Sequence, residues 1–245
     1  MSNSTHQPDH VFDGGDMDCG SGLILLIREN MQKVPAGGVL ELRSREATVT
    51  GELPPWCRMV GHQYLETIEV DPGRRWRHFV RRGVPKEDEE KALADDKEQA
   101  RNYQWRVRTR HTGNQEATIY ARSFSWKLGQ PASFEEKDSH PCALEAALGA
   151  LLADLLNGFA SRCLQQGKTV DELEGNLRAT LHNVLAHLGI EDGDPSLETI
   201  HLSAFVTSPD PGEELRAVWA ETLARSPLYQ TLAKACEVET RLAII

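Results

Sequence analysis

The stretch from Ala143 to Cys163 constrains this chain more than any other. It is helical in composition and too apolar on every side to lie on a surface, so it predicts a helix buried at the centre of a domain. The residues around it alternate as strands do. Trp105, Val107 and Thr109 form one set, Ala117 to Trp126 a second, and Leu173 to Leu181 and Thr199 to Val206 two more. Asp210-Pro-Gly-Glu213 opens a further helix, with Asp210 read as its N-cap, Pro211 at the first position and Glu213 reaching back. Ser226-Pro227 interrupts that helix, a shorter one runs to about Ala235, and Glu237 to Ile245 closes as a strand.

The first half follows another pattern. Residues 1–10 are polar and predict a disordered terminus. Ser21 to Lys33 places Leu23, Ile24, Ile27 and Met31 at helical spacing, after a strand near Val11-Phe12. Pro35-Ala-Gly-Gly38 breaks the helix and Val39 to Leu42 is a strand. Leu53 to His62 is a second helix, with Pro54 and Pro55 in its first turn and Gly61 at its end. Tyr64 to Val70 and Trp76 to Val80 pair across a turn at Asp71-Pro72-Gly73. The order βαβαββ predicts a small two-layer sandwich with both helices on one face, so the chain as a whole is α+β.

Residues 84–102 divide the halves. Between 84 and 101 stand seven acidic residues (87, 88, 89, 90, 95, 96, 98) and four basic ones (86, 91, 97, 101), with little apolar content beyond alanine. They predict a charged, solvated helical linker between domains at 11–83 and 103–245; a partner-binding face is the alternative.

Charge and cysteines narrow the function. The 245 residues hold 27 Lys and Arg against 37 Asp and Glu, a formal charge of −10, which argues against general nucleic-acid affinity. Arg74, Arg75, Arg77, Arg81 and Arg82 beside Trp76 and Phe79 could suggest RNA, but solvent-facing strands protected at an edge fit them better. No apolar run comes near the roughly 18 residues of a membrane span, and the start lacks the basic and apolar segments of a secretory signal. Five cysteines, an odd number, predict reduced thiols in the cytoplasm. The nine histidines lack metal-ligand spacing, and no phosphate-binding glycine loop or Gly-x-Ser-x-Gly occurs, so neither metal nor cofactor is expected.

Cys19 stands just before the first helix, between Asp18 and Gly20. Free N–H groups and the helix dipole at such a place lower a thiol pKa and make a nucleophile; a thiol that merely precedes a helix is the plainer alternative. Here the sequence resembles the TusA/SirA sulfur-carrier family over roughly residues 11–82. The matching residues are Phe12-Asp13, Cys19-Gly-Ser-Gly-Leu, Pro35-Ala-Gly-Gly-Val-Leu-Glu-Leu and Leu53-Pro-Pro-Trp-Cys-Arg-Met-Val-Gly-His62. The resemblance implies that Cys19 accepts a sulfane sulfur as a persulfide from a donor protein and passes it to an acceptor. It implies a packed, structural thiol at Cys57. Both prolines of the family's Cys-Pro-x-Pro are glycines here, Gly20 and Gly22, which loosens the helix entry.

His140-Pro-Cys-Ala-Leu-Glu145 to Asp154, Val170-Asp-Glu-Leu173, Ser226-Pro-Leu-Tyr-Gln-Thr-Leu232 and Glu237-Val-Glu resemble the OsmC/Ohr family over about 103–245. That resemblance implies an intertwined homodimer with the long helices at its centre. The family's peroxide-reactive cysteine falls nine residues after the glutamate, where this chain has Asp154, and its resolving cysteine falls at Ser226. A carboxylate cannot attack peroxide oxygen as a thiolate does, so thiol peroxidase activity is disfavoured. Asp154 is costly to bury unpaired. It therefore predicts a raised pKa or a basic partner such as an arginine, or else a pocket in which Asp154 and Glu145 hold a polar ligand. Three readings follow: a sulfur carrier acting through Cys19, a binding or regulatory dimer with a pocket near Asp154, and, least favoured, a hydroperoxide reductase.

Overall fold

A computed structural model describes residues 6–83, 89–113, 115–129 and 139–245. The chain divides into two compact units, Met1–Gln104 and Trp105–Ile245.

In the first unit β1 (His10–Asp13), α1 (Leu23–Met31), β2 (Val39–Ser44), α2 (Val49–Val60), β3 (Gln63–Asp71) and β4 (Arg75–Arg81) follow in the expected order. The sheet runs β1-β2-β4-β3, with β1 parallel to β2 and the other pairs antiparallel. Leu23, Ile27 and Met31 of α1 and Leu53, Trp56, Cys57 and Val60 of α2 close over Leu40, Leu42 and Val80. Residues 6–10 do not behave as the disordered terminus expected. The Asp9 carboxylate accepts the Val39 N–H at 2.7 Å and the Asp9 N–H donates to the Val39 carbonyl, so the chain is tied to the sheet before β1 begins. Residues 1–5 lie outside the described residues. Helix α2 starts four residues earlier than Leu53, so Pro54 and Pro55 stand inside it and not in its first turn. Gly61, at φ 93°, ends it. The arginine-rich strand β4 is interior to the sheet and guards no edge.

The charged segment also differs from expectation. Its described part forms α3 (Glu89–Arg101), which packs on α1 within the first unit. Leu93, only 5 % exposed, is its apolar anchor, while Asp96 pairs with Arg28 at 3.0 Å and Lys97 with Glu29 at 3.6 Å. One leucine with complementary charges suffices to dock a helix that composition alone marks as solvated.

The second unit holds two three-stranded sheets. β5 (Arg108–Gly113), β6 (Glu116–Ala121) and β7 (Phe124–Leu128) form an antiparallel meander. β8 (Glu172–Leu181), β9 (Leu197–Thr207) and β10 (Glu237–Ile244) form the other, in the order β10-β9-β8, with β9 and β10 parallel. The long helix α4 (Ala143–Gln165) lays Leu151, Leu155, Phe159 and Cys163, spaced four apart, against the inner residues Ile200, Leu202, Ala204 and Val206. It is not buried all round: Gly149, Ala150 and Ala153 on its other side are exposed, as is Ala147 one turn before Leu151. By length and composition α4 is apolar enough to cross a membrane, contrary to the sequence reading, because Asp154 and Arg162 interrupt but do not outweigh its alanines and leucines. Its buried row of large side chains is that of a helix packed in a core. A one-turn helix α5 (Val184–His187) separates His187 from the strand end at His182. Helix α6 (Gly212–Arg225) adds Leu215, Val218 and Trp219 to the core. Asp210 is not its N-cap, because its carboxylate accepts the Thr169 N–H at 2.7 Å instead. Helix α7 (Pro227–Leu232) is capped by Ser226, whose hydroxyl accepts the Tyr229 N–H.

Candidate functional site

Strands β1 and β2 are parallel neighbours, so the loops leaving their C-terminal ends emerge on the same side of the sheet. From β1 the chain passes Gly14 and Gly15 to Cys19, which starts a single 3₁₀ turn, Cys19–Ser21. From β2 it passes Ser44 to the first turn of α2, which carries Glu52. There the two loops meet: the Cys19 thiol hydrogen-bonds to the Glu52 carboxylate.

This environment opposes the thiolate. Partial burial, then the Glu52 hydrogen bond, the Glu52 charge and the Asp18 charge push the Cys19 pKa up to about 12. The expected lowering fails for a local reason. Helix α1 begins at Leu23, four residues beyond the cysteine, and Gly22 stands between them at φ 101°, in the left-handed region. The free N–H groups of α1 therefore do not face Cys19. Gly22 could not be proline in this backbone, since proline fixes φ near about −65°. At Gly20 the nearest atom to an added Cβ is Asp18 Oδ1, at 3.4 Å, so that position has room. Glu52 was not singled out from the sequence; an acidic residue in the first turn before Pro54-Pro55 was the available signal. Cys57 is fully buried among Leu53, Trp56 and Leu40, and burial raises its pKa to about 12.

In the second unit the structure joins two of the singled-out residues and separates the third. The Ser226 hydroxyl donates to Asp154 Oδ2 at 2.5 Å across α4 and α7. Asp154 thus meets a hydroxyl, and not the basic partner that was one of the expectations. Glu145 is exposed and works at the start of α4. Its carboxylate accepts the Cys142 N–H at 2.8 Å, while the Cys142 sulfur accepts the Glu145 N–H at 3.4 Å. Nine helical residues turn through about 900°, so Glu145 and Asp154 lie on opposite sides of α4 and share no pocket. A depression of about 340 Å³ lies further along α4, lined by Gly158, Ser161, Arg162, Gln165, Glu221 and Arg225; Asp154 is not among its walls. All five cysteines are free, and among the described residues no cluster of three metal-ligating side chains occurs.

Comparison with known proteins divides the chain in the same way. No family model matches it. Over 73 residues of its N-terminal part the chain is 37% identical to YrkF of Bacillus subtilis (strain 168), a match covering 30% of this chain and 38% of YrkF. Over 62 residues it is 24% identical to the sulfur carrier protein TusA of Pseudomonas putida (strain GB-1), covering 25% of this chain and 76% of TusA. The match therefore spans well under half of YrkF's length. An OsmC-like protein from Mycoplasma pneumoniae superposes with a TM-score of 0.51 and 17% identity. It covers 59% of this chain and 99% of its own, close to the share of the second unit. At that identity the likeness is one of fold. The chain joins a part similar to sulfur carriers to a unit with an OsmC-like fold.

Proposed function

We propose that the chain is a sulfur carrier in which Cys19 takes up sulfane sulfur as a persulfide and hands it to an acceptor thiol. The observation that carries this reading is a thiol kept on the loop after β1, in a part of the chain similar to sulfur carriers and hydrogen-bonded to a carboxylate. The thiol must lose its proton before it attacks, and Glu52 is placed to receive it. With a donor protein persulfide, the Cys19 sulfur bonds to the donor's terminal sulfur and the donor's S–S bond breaks. The products are a Cys19 persulfide and a donor thiol that gains the proton Cys19 lost. Delivery to an acceptor repeats the step with the roles exchanged.

The second unit acts here as an assembly element and not as a thiol peroxidase. Asp154 and Ser226 occupy the two reactive positions and hydrogen-bond each other. The exposed alanine and glycine side of α4, together with the exposed Phe124 and Trp126 of β7, supports a homodimer through this unit. The donor and acceptor are proteins of the cytoplasm in this reading. A ligand pocket centred on Asp154 has less support, because its Oδ2 already accepts the Ser226 hydroxyl and Asp154 does not line the nearby depression.

Intact-mass spectrometry tests the carrier role. The full chain and a Cys19→Ala variant are incubated with a cysteine desulfurase and cysteine, or with a rhodanese and thiosulfate. A reductant-sensitive gain of about 32 Da, one sulfur atom, on the parent chain alone is expected. An equal gain on the variant, or none on a folded parent with either donor, overturns the reading.

A further inference from the structure

At one end of the first unit's sheet lies a groove of about 400 Å³, lined by Asp13, Arg43, Ser44, Arg45, Val70, Arg75, Trp76 and Arg77. Its volume falls within the range of small-molecule sites, about 300–1,000 Å³. The register of the sheet makes it basic. Arg43 of β2 stands opposite Arg77 of β4, and Asp13 of β1 stands opposite Arg43 on the other side. Beneath them Glu41, 1 % exposed, holds both guanidinium groups. Its Oε1 accepts Arg43 Nε and Arg77 Nε, each at 2.8 Å, and its Oε2 accepts Arg77 Nη2 at 2.7 Å. These bonds outweigh burial, which alone would raise the Glu41 pKa, and hold the carboxyl below its usual range. A buried, ionised carboxylate thus fixes two arginines at the groove while most of their N–H groups stay unused.

The remaining groups tilt the balance further. Arg45 is exposed, and among the described residues its guanidinium has no carboxylate partner. Arg75 pairs only loosely with Asp71, at 3.4 Å with both side chains more than half exposed. Of the carboxylates nearby, Glu41 is engaged with two arginines, Asp71 with Arg75 and Asp13 with the Gly15 N–H at 2.8 Å, while Glu66 acts on Arg77 through its charge. An arginine has five N–H donors in a planar fork that matches oxyanions, and the ion pairs here use one on Arg43, two on Arg77 and one on Arg75. Val70 and Trp76 add an apolar wall.

We infer that this groove is a binding site for a small tetrahedral oxyanion dianion of phosphorus or sulfur, such as inorganic phosphate or thiosulfate, with Arg45 and Arg75 as the residues that close on it. The inference does not rest on the sulfur-carrier reading, since it involves no chemistry at Cys19. The full chain is titrated with inorganic phosphate and with thiosulfate at constant ionic strength set by sodium chloride, and followed by ¹H–¹⁵N NMR. Saturable shifts confined to the Trp76 indole N–H and the side-chain N–H groups of Arg43, Arg45 and Arg75 are expected with at least one of the two anions. Arg45→Gln and Arg75→Gln leave the Glu41 cluster intact, and each weakens binding about tenfold. Shifts that never saturate, that are equally large at Arg110 and Arg178, or that persist unchanged in the double variant overturn the proposal.

Discussion

The two units treat a reactive position in opposite ways. The first holds the Cys19 thiol between Asp18 and Gly20, and the Glu52 carboxylate holds the proton on sulfur. The second sets the Asp154 carboxylate of a long helix, α4, against the Ser226 hydroxyl that caps a short one, α7. Asp154 and Ser226 satisfy each other with one hydrogen bond. What separates the cases is which polar atoms remain unsatisfied. In the second unit the hydroxyl donates to Asp154 and accepts from the Tyr229 N–H, whereas in the first the carboxylate keeps the proton on sulfur.

That contrast can be broken most severely at Gly22. Gly22→Pro should cost the first unit about 3 kcal/mol or more, because the residue needs a positive φ, while the second unit's melting is untouched. Two-transition calorimetry reads both. If the first unit keeps its transition temperature, the left-handed entry is not required. Acid should separate the units next. Burial lowers the His78 pKa to about 4, against an ordinary value of 6.5. The folded first unit thus resists protonation that its unfolded chain accepts. Its stability is full above about pH 6.5 and falls progressively toward pH 4, by up to about 3 kcal/mol. A His78→Leu variant should flatten that slope in a urea-melt series between those pH values. A slope that survives the substitution would assign the effect to another group.

Ser226→Ala removes both the bond to Asp154 and the cap of α7, so a loss of about 1–3 kcal/mol in the second unit is expected from chemical denaturation. The double variant Asp154→Asn with Ser226→Ala should lose less than the sum of the two single changes. Strict additivity would show the pair to be uncoupled. The smallest effect on folding, and the most informative about chemistry, is expected of Glu52→Gln. Removing that charge lowers the Cys19 pKa from about 12, so alkylation by iodoacetamide at pH 8 should speed up about tenfold for each unit of the fall. An unchanged rate would mean that burial alone controls the thiol.

Much of this architecture was legible because it depends on periodicity. The βαβαββ order and the strands β8, β9 and β10 follow from apolar spacing that local neighbours enforce, whereas β5 begins only at Arg108 and leaves Trp105 and Val107 exposed, Ala117 to Trp126 forms two strands, and α4, expected to be buried on every side, buries one row. The errors arose where tertiary contacts decide. Nothing local in residues 89–101 announces that Leu93, Asp96 and Lys97 find partners on α1. Glu145 looks like a pocket residue until helical rotation is counted. Asp210 has the composition of an N-cap, yet the Thr169 N–H claims its carboxylate. At the thiol, position relative to a helix was misjudged by one turn, and the sign of the pKa shift reversed with it. Glu52 is distant in sequence from Cys19, and only the parallel pairing of β1 with β2 brings their loops together.

The left-handed residue at Gly22 has an evolutionary consequence. A lineage that holds glycine there cannot take up proline by a single tolerated substitution, since the helix would first have to start elsewhere. Conversely, a lineage holding proline could reach this backbone only after giving that proline up. The two entry loops are thus separate basins in sequence space, and this chain sets its cysteine through neighbours such as Glu52.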